Sequence, residues 1–355
     1  MLRRQSVAGG GRMHTISVAM ATYNGETFLE RQLMSVFAQS LTPHEIVICD
    51  DGSTDRTWEI LERLKVFSPA PIHIYRNKER LGFRRNFLKI ASLCQSDLIA
   101  FCDQDDLWDD SKLETVERAF TDKVMMVFHG AHFIDAADNP LGEMSRVSPT
   151  AMKFKSMELD AFAKVLGFSM VFRRALCQFD DQHGQSIDDT HVSEVAAHDQ
   201  WYTFLASVLG DVVYLPDPLV RYRLHSANAM GFRRKHSFRD LVSAFRYSGT
   251  NLKKRIAVLR ARCDILDRLL ADRPEVAPAL AAYRSLAKTS EARLTLYEDQ
   301  SPLTRVQRYV DLHRNGIYHS KTLPLSRWDQ RKDLLVSVLG PALLQKDVVV
   351  KPSQV

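Results

Sequence analysis

Three apolar runs in this chain end in the same way. The stretches "TISVAMATYNG" (15–25), "HEIVICDDGS" (44–53) and "SDLIAFCDQDD" (96–106) each pass from a β-rich run straight into polar or acidic residues. Between them lie amphipathic stretches. "GETFLERQLMSVFAQS" puts Phe28, Leu29, Leu33, Val36 and Phe37 on one helical face, and "STDRTWEILERLKVF" follows with Ser53 or Thr54 available as N-cap. "PIHIYRN" adds a third strand and "NFLKIASLC" a third helix before the fourth strand. Such a series predicts an α/β fold with a doubly wound, mainly parallel sheet and helices on both faces. In sheets of this kind ligands bind beyond the carboxyl ends of the strands, which is where the three polar clusters fall.

The pattern loosens from about residue 124. "VMMVFHGAHFID" reads as a long strand or strand pair, "LGFSMVFRRAL" as a strand entering a helix, and "HDQWYTFLASVLG" as a helix closed by Gly210. "DVVYLPDPLVRYRLH" follows as a strand with turns. After residue 231 the three- and four-residue spacing of Leu, Ile and Ala predicts a mostly helical region. The expected organisation is a disordered extension over 1–14, a catalytic domain over 15–232 and a basic helical region over 233–355. Charge divides along the same line. Residues 1–230 carry 24 Lys+Arg against 31 Asp+Glu, and residues 231–355 carry 24 against 12, so a net of −7 is followed by one of +12. The basic part suits anionic lipid head groups, its own acidic neighbour, or plain solvation. Nucleic acid is not an expected partner, because no aromatic platform or reading motif accompanies the charge.

No apolar run approaches the ~18 residues of a membrane span, and "MLRRQSVAGGGRMHT" lacks the apolar centre of a signal peptide. The five cysteines form no CxxC pair and read as buried thiols in a reducing compartment. A cytoplasmic protein is expected, with peripheral contact to the inner face of the membrane as an extension of that expectation.

The acidic clusters carry the chemistry. Asp50 and Asp51, at the end of the second strand, can accept hydrogen bonds from a uracil N3–H or a ribose hydroxyl, or can simply form an acidic turn. "DQDDLWDD" holds five carboxylates in eight positions, 103 to 110. In extended backbone Asp103 and Asp105 face the same way while Gln104 points aside. Two carboxylates suit Mg²⁺ or Mn²⁺, which keep open positions for substrate phosphates. Asp109 and Asp110 fit the first turn of a helix starting near Ser111, where negative charge is mildly favourable.

"ISVAMATYNGETFLERQLMSVFAQS", "EIVICDDGSTDRTWEIL", "RNKERLGFRRNF" and "SDLIAFCDQDDLWDDSKLE" together resemble the family 2 glycosyltransferases, inverting enzymes of GT-A-type fold. "GFSMVFRRAL", "AHDQWYTFLASVLG" and "VRYRLHSANAMG" extend the resemblance to about residue 232 and toward the branch that builds bacterial surface polysaccharides, many rhamnosyltransferases included. The resemblance implies a nucleotide pocket lined by Thr22, Tyr23 and Asn24, with Asp51 on the base or ribose and Asp50 beside it. It implies Asp103 near the ribose and Asp105 on the metal, with Asp106 a close neighbour. Arg84 would reach the diphosphate or stand as a surface arginine. Asp199 in "AHDQW" maps to the general base. His225 would be a further metal ligand or diphosphate contact, with Arg221, Arg223 and Asn228 around it. The segment of Gly167 would form the wall between donor and acceptor.

The expected activity is therefore metal-dependent, inverting sugar transfer from a nucleotide-diphosphate donor (dTDP-rhamnose or a UDP-sugar) to a hydroxyl of a glycan or polyprenyl-linked acceptor. A sugar-phosphate nucleotidyltransferase also places paired aspartates on such a sheet, but "MATYNGETF" lacks the Gly-rich, basic loop that grips a triphosphate. A catalytically inert nucleotide-binding protein on the same fold is the non-enzymatic alternative.

Overall fold

A computed structural model describes residues 13–144, 147–225, 248–299, 301–319 and 327–340. Its contacts divide the chain into two compact units. The first comprises residues 1–156, 164–181 and 197–228, and the second comprises 157–163, 182–196 and 229–355. The second unit therefore draws two short segments from within the first two thirds of the chain.

The first unit is built on one sheet. Its leading strands are β1 (Ile16–Thr22), β2 (Glu45–Asp50), β3 (Ile72–Arg76) and β4 (Leu98–Cys102). β2 and β4 are buried at every position, as expected of strands covered on both faces. β3 lies at the edge and alternates between half-buried and exposed residues until its last two. The order β3-β2-β1-β4 is parallel throughout, so the chain reverses its direction of winding between β3 and β4, with β1 at the switch. Helices α1 (Leu29–Phe37) and α2 (Thr57–Leu64) cover one face. Their Leu29, Leu33, Val36, Ile60, Leu61 and Leu64 share a core with Val18, Met20, Ile48, Ala100 and Cys102.

Alternation along β4 sends Phe101 to the other face. There it meets Phe87 of α3 (Gly82–Leu93) at 4.9 Å and Tyr202 of α5 (His198–Leu209) at 5.7 Å between ring centroids. The short β5 (Leu107–Trp108) and α4 (Lys112–Glu117) follow the acidic turn. β6 (Val124–Ile134) is one long strand, flanked by β9 (Met170–Arg173) antiparallel and by β10 (Asp211–Arg223) parallel, and β10 ends against β5. β7 (Pro140–Glu143) and β8 (Met152–Phe154) attach off this path. The sheet is thus parallel in its first half and mixed beyond β4, with helices on both faces, in keeping with the expected α/β class.

Local expectations fail in two places. Neither Ser53 nor Thr54 caps α2, which starts at Thr57; its amide is taken instead by Asp55 Oδ1 at 2.9 Å. The Asp103–Asp106 segment is a turn centred on Gln104 and Asp105, not extended chain.

The second unit is helical, as the spacing predicts, through α6 (Ser248–Leu269), α7 (Ala277–Glu298), α8 (Pro302–Arg314) and α9 (Arg327–Leu339). Its interior, largely apolar, also holds a buried polar cluster. Arg293 is 2% exposed and donates to Asp333 Oδ2 at 2.6 Å, while Tyr297 and Tyr318 donate to the same carboxylate at 2.7 and 2.8 Å. Among the described residues no helix is long and apolar enough to cross a membrane.

Candidate active site

The carboxyl ends of β1, β2 and β4 stand side by side, with Thr22 opposite Asp50 and Met20 opposite Cys102 in register. Three loops therefore leave the sheet at one edge. The first two are joined rung by rung. Asn24 N donates to Ser53 Oγ at 2.9 Å, Thr54 N to Asn24 Oδ1 at 2.8 Å and Gly25 N to Thr57 Oγ1 at 2.7 Å. Asn24 takes a left-handed backbone, φ 47°, a conformation its short amide side chain tolerates. The third loop is locked to the first by Gln104, whose Oε1 accepts from Tyr23 N at 2.8 Å while its Nε2 donates to Tyr23 O at 3.0 Å. Gln104 does not point aside; it fills the space where a Cβ on Gly25 would go.

The aspartate pair after β2 splits in role. Asp50 is fully buried; its carboxylate accepts from Thr22 Oγ1, from Ser53 Oγ and, at 3.0 Å, from Ser53 N. Asp51 accepts from Leu81 N at 2.7 Å, Gly82 N at 2.8 Å and Asn77 Nδ2 at 2.8 Å, so it caps the start of α3. That cap sets the loop that carries Arg84, whose guanidinium lies 4.7 Å from the ring centroid of Phe83. Exposed Arg80 sits 3.9 Å over the ring of Tyr23.

In the acidic turn the carboxylates diverge. Asp105 Oδ2 lies 2.7 Å from His225 Nε2, and the His225 ring packs on Phe28 at 5.1 Å. Asp106 is fully buried, with Oδ1 accepting from Arg223 N at 2.9 Å and Oδ2 without a hydrogen-bond partner. Asp103 keeps part of its surface accessible but is closely surrounded. Burial pushes its carboxyl up to about 7, and the neighbouring charges of Asp105 and Asp199 push the same way. Asp199, in the first turn of α5, is thus near enough for its charge to act on Asp103. Asp199 Oδ1 also accepts from Gln200 N at 2.7 Å. Outside the turn, Asp109 Oδ1 accepts from Ser111 N at 3.0 Å just ahead of α4, and Asp109 and Asp110 are exposed.

Arg223 behaves differently from what its sequence context suggests. Arg223 contacts no anion from outside. It is fully buried, donates from Nε to Asp105 O at 2.8 Å and from Nη1 to Asp135 O at 3.0 Å, and pairs with Asp138. Gly167 is small because His198 needs the room: a Cβ there would stand 2.6 Å from His198 Nε2. His198 itself stacks on Phe87 at 4.1 Å, so it belongs to the packing beneath Asp199. Asn228 lies outside the described residues. Only the i and i+2 pattern and the apolar flanks mark these positions in the sequence, and neither signals a partner a hundred residues away.

Among the described residues no three His, Cys, Asp or Glu side chains form a ready-made metal cluster. The donor chemistry nonetheless fits a hard divalent cation. Asp103 and Asp105 offer oxygen donors and His225 an imidazole nitrogen, and the charge of Asp105, which after burial raises Asp103, is a repulsion a cation would relieve.

The family description "Glycosyl transferase family 2" matches residues 17–179, which hold all three loops. An uncharacterized glycosyltransferase of Nostoc is 27% identical over 60% of this chain and 66% of its own length. The dTDP-rhamnosyl transferase RfbG of Shigella flexneri is 39% identical over 27% of this chain and 34% of its own. The Escherichia coli WfaP, a UDP-Glc:alpha-D-GlcNAc-diphosphoundecaprenol beta-1,3-glucosyltransferase, is 36% identical over 28% and 39%. The match thus spans two thirds or less of the length of each of these three relatives. A solved structure of Staphylococcus aureus TarS 1–349 in complex with UDP-GlcNAc covers 93% of this chain and 90% of its own, at 16% identity and a TM-score of 0.48.

Proposed function

The chain belongs to glycosyltransferase family 2, and from that premise we propose that it moves a sugar from a nucleotide-diphosphate donor to an acceptor hydroxyl with inversion at the anomeric carbon. The observation that carries the reading is the acidic turn of Asp103 and Asp105 just beyond the carboxyl end of the central strand β4, with Asp199 in the first turn of α5 near enough for its charge to act on Asp103. Thr22, Tyr23, Asn24 and Asp51 belong to the nucleotide side, where the exposed Arg80 over Tyr23 presents a cationic, aromatic edge. Arg84, on the loop that Asp51 caps, is assigned to the diphosphate.

Asp199 is assigned as general base. It takes the acceptor hydroxyl's proton as that oxygen bonds to the anomeric carbon, and the bond to the nucleoside diphosphate breaks on the opposite face. Such help is worth ~10²–10⁴ in rate. Asp105, with Asp103 and His225, would hold Mn²⁺ or Mg²⁺. When bound, that ion supplies the positive charge that stabilises the leaving diphosphate. No second carboxylate need protonate the leaving group, unlike glycoside hydrolysis. The named relatives act with dTDP-rhamnosyl and UDP-glucosyl donors, and these two classes head the candidates here.

The acceptor is assigned as a glycan or a polyprenyl-linked sugar. Exposed Leu303, Val306, Leu334, Leu335, Val338 and Leu339 on α8 and α9, within a region of net positive charge, support contact with an anionic inner leaflet. Salt-sensitive co-sedimentation with anionic vesicles is expected; none at low salt removes that contact.

The deciding experiment is a screen of nucleotide sugars for Mn²⁺- or Mg²⁺-dependent transfer or hydrolysis, repeated with Asp199→Asn. The variant should bind donor normally and lose transfer. Undiminished transfer to a proven acceptor removes Asp199 from the mechanism, and pyrophosphate release from a nucleoside triphosphate and a sugar phosphate overturns the reaction class.

A further inference from the structure

An aromatic row leads from β4 to the surface. Phe101, one residue before the end of that strand, meets Phe87 at 4.9 Å and His198 at 5.1 Å between ring centroids, and Phe87 stacks on His198 at 4.1 Å. Phe83 closes the row, edge to face with the same imidazole at 6.1 Å. Phe83 and Phe87 stand four residues apart on α3, so one face of that helix presents both rings to His198. Their burial differs sharply: Phe87 is 3% exposed and Phe83 43%.

An exposed apolar side chain is ordinary in itself. Phe83 is distinguished by how firmly it is held and by its neighbours. Asp51 accepts from Leu81 N at 2.7 Å and from Gly82 N at 2.8 Å, which pins the start of α3, and one turn on Asn86 Nδ2 donates to Cys49 O at 3.0 Å. The ring's neighbours are the Arg84 guanidinium, 4.7 Å from its centroid, and His198, the residue before Asp199. These two belong to opposite ends of the reaction. Arg84 is assigned to the diphosphate that leaves and Asp199 to the hydroxyl that attacks, and inversion sets the anomeric carbon in line between them. The group that occupies this interval is the sugar in transfer.

We propose that Phe83 is a platform for the donor sugar: the exposed part of its ring packs against C–H groups of the hexosyl unit being transferred, and so contributes to the choice of nucleotide sugar. Sugar C–H groups carry slight positive charge and an aromatic face slight negative charge, so a phenyl ring suits the apolar side of a pyranose and leaves the hydroxyls to polar partners. A ring already held in place receives the sugar at little ordering cost. The inference rests on the sugar-transfer reading.

Phe83→Ala tests it, because a sugar platform acts on the nucleotide sugar and not on the nucleotide alone. Calorimetry in Mn²⁺ compares the variant with wild type, first with whichever of a panel of UDP-, dTDP- and GDP-sugars binds the wild type, then with the matching UDP, dTDP or GDP. The nucleotide sugar should bind at least about fivefold more weakly, the loss expected when part of a phenyl ring is no longer covered. The bare nucleotide should bind as it does to wild type, and Phe83→Tyr should keep the wild-type donor affinity. A ring that only supports the fold gives a variant in which both ligands weaken together, or neither changes; either result overturns the proposal. Unchanged donor affinity with a raised acceptor KM overturns it too, since the ring then belongs to the acceptor. Where Phe83→Ala does not fold by circular dichroism, Phe83→Leu keeps an apolar side chain, loses the ring and carries the same test. If the wild type binds no nucleotide sugar of the panel, the sugar-transfer reading fails; if it binds one and Phe83→Ala matches it, only the role of Phe83 fails.

Discussion

His225 Nε2 and Asp105 Oδ2 lie 2.7 Å apart although 120 residues separate them in the chain. The contact closes the acidic turn with the end of β10. It makes His225 the nitrogen donor within reach of the turn, so His225→Ala should weaken Mn²⁺ binding by roughly 10–100-fold. Calorimetric metal titration reads this directly. Unchanged affinity would take His225 out of the site and leave it a packing partner of Phe28.

Gly167→Ala should be destabilising. The new methyl would stand 2.6 Å from His198 Nε2, and His198 is held between Phe87 and Phe101, so it has little room to yield. Overpacking of this kind costs about 1–3 kcal/mol. The paired change Gly167→Ala with His198→Ala should recover most of it. Denaturant unfolding decides, and a Gly167→Ala protein as stable as wild type would show the imidazole to be mobile.

Asp180 provides a pH signature away from the acidic turn. Burial pushes its carboxyl from 3.8 up to about 6, despite donation from Trp201 Nε1 at 2.9 Å and Tyr202 Oη at 2.7 Å. A raised acid favours the protonated native state, so its contribution is most favourable below about pH 4 and is lost as pH rises toward 6. Asp180→Asn removes that loss and should be more stable than wild type at pH 7 by roughly 2 kcal/mol, with a flatter profile between pH 4 and 6. Thermal melts across that range provide the check, and an unchanged slope rules out Asp180 as its source.

Asp333→Ala should unfold much of the helical unit. It strands Arg293 and deprives Tyr297 and Tyr318 of their acceptor, and breaking a buried ion pair from one side costs roughly 3–5 kcal/mol. Replacing Arg293 and Asp333 together by Leu should be far milder. Loss of helical circular dichroism in the single variant but not the double is the expected pattern.

Much of the fold was legible because its signals are local. Strand ends at Thr22, Asp50 and Cys102 are marked by apolar runs giving way to polar ones, and the α1 and α2 faces follow from helical spacing. The parallel first half of the sheet follows from the alternation. The site's residue types were legible for the same reason, since carboxylates at strand ends need no knowledge of partners. What the sequence hid is everything fixed at long range. Gln104 looks like a bystander between two aspartates until Tyr23, 81 residues earlier, becomes its partner. Arg223 looks like an anion contact until Asp105, Asp135 and Asp138 surround it. Gly167 gives no sign in the sequence that His198, 31 residues later, needs the room beside it.

The Gln104 clamp on Tyr23, together with the rungs joining 24–25 to 53–57, has a consequence for anyone re-engineering this scaffold. A chimera that imports one of these loops from a relative would bring a strand end whose stitching points face the wrong partners. The three must travel as a single cassette, and inherited differences in donor choice should be found distributed across all three rather than confined to one.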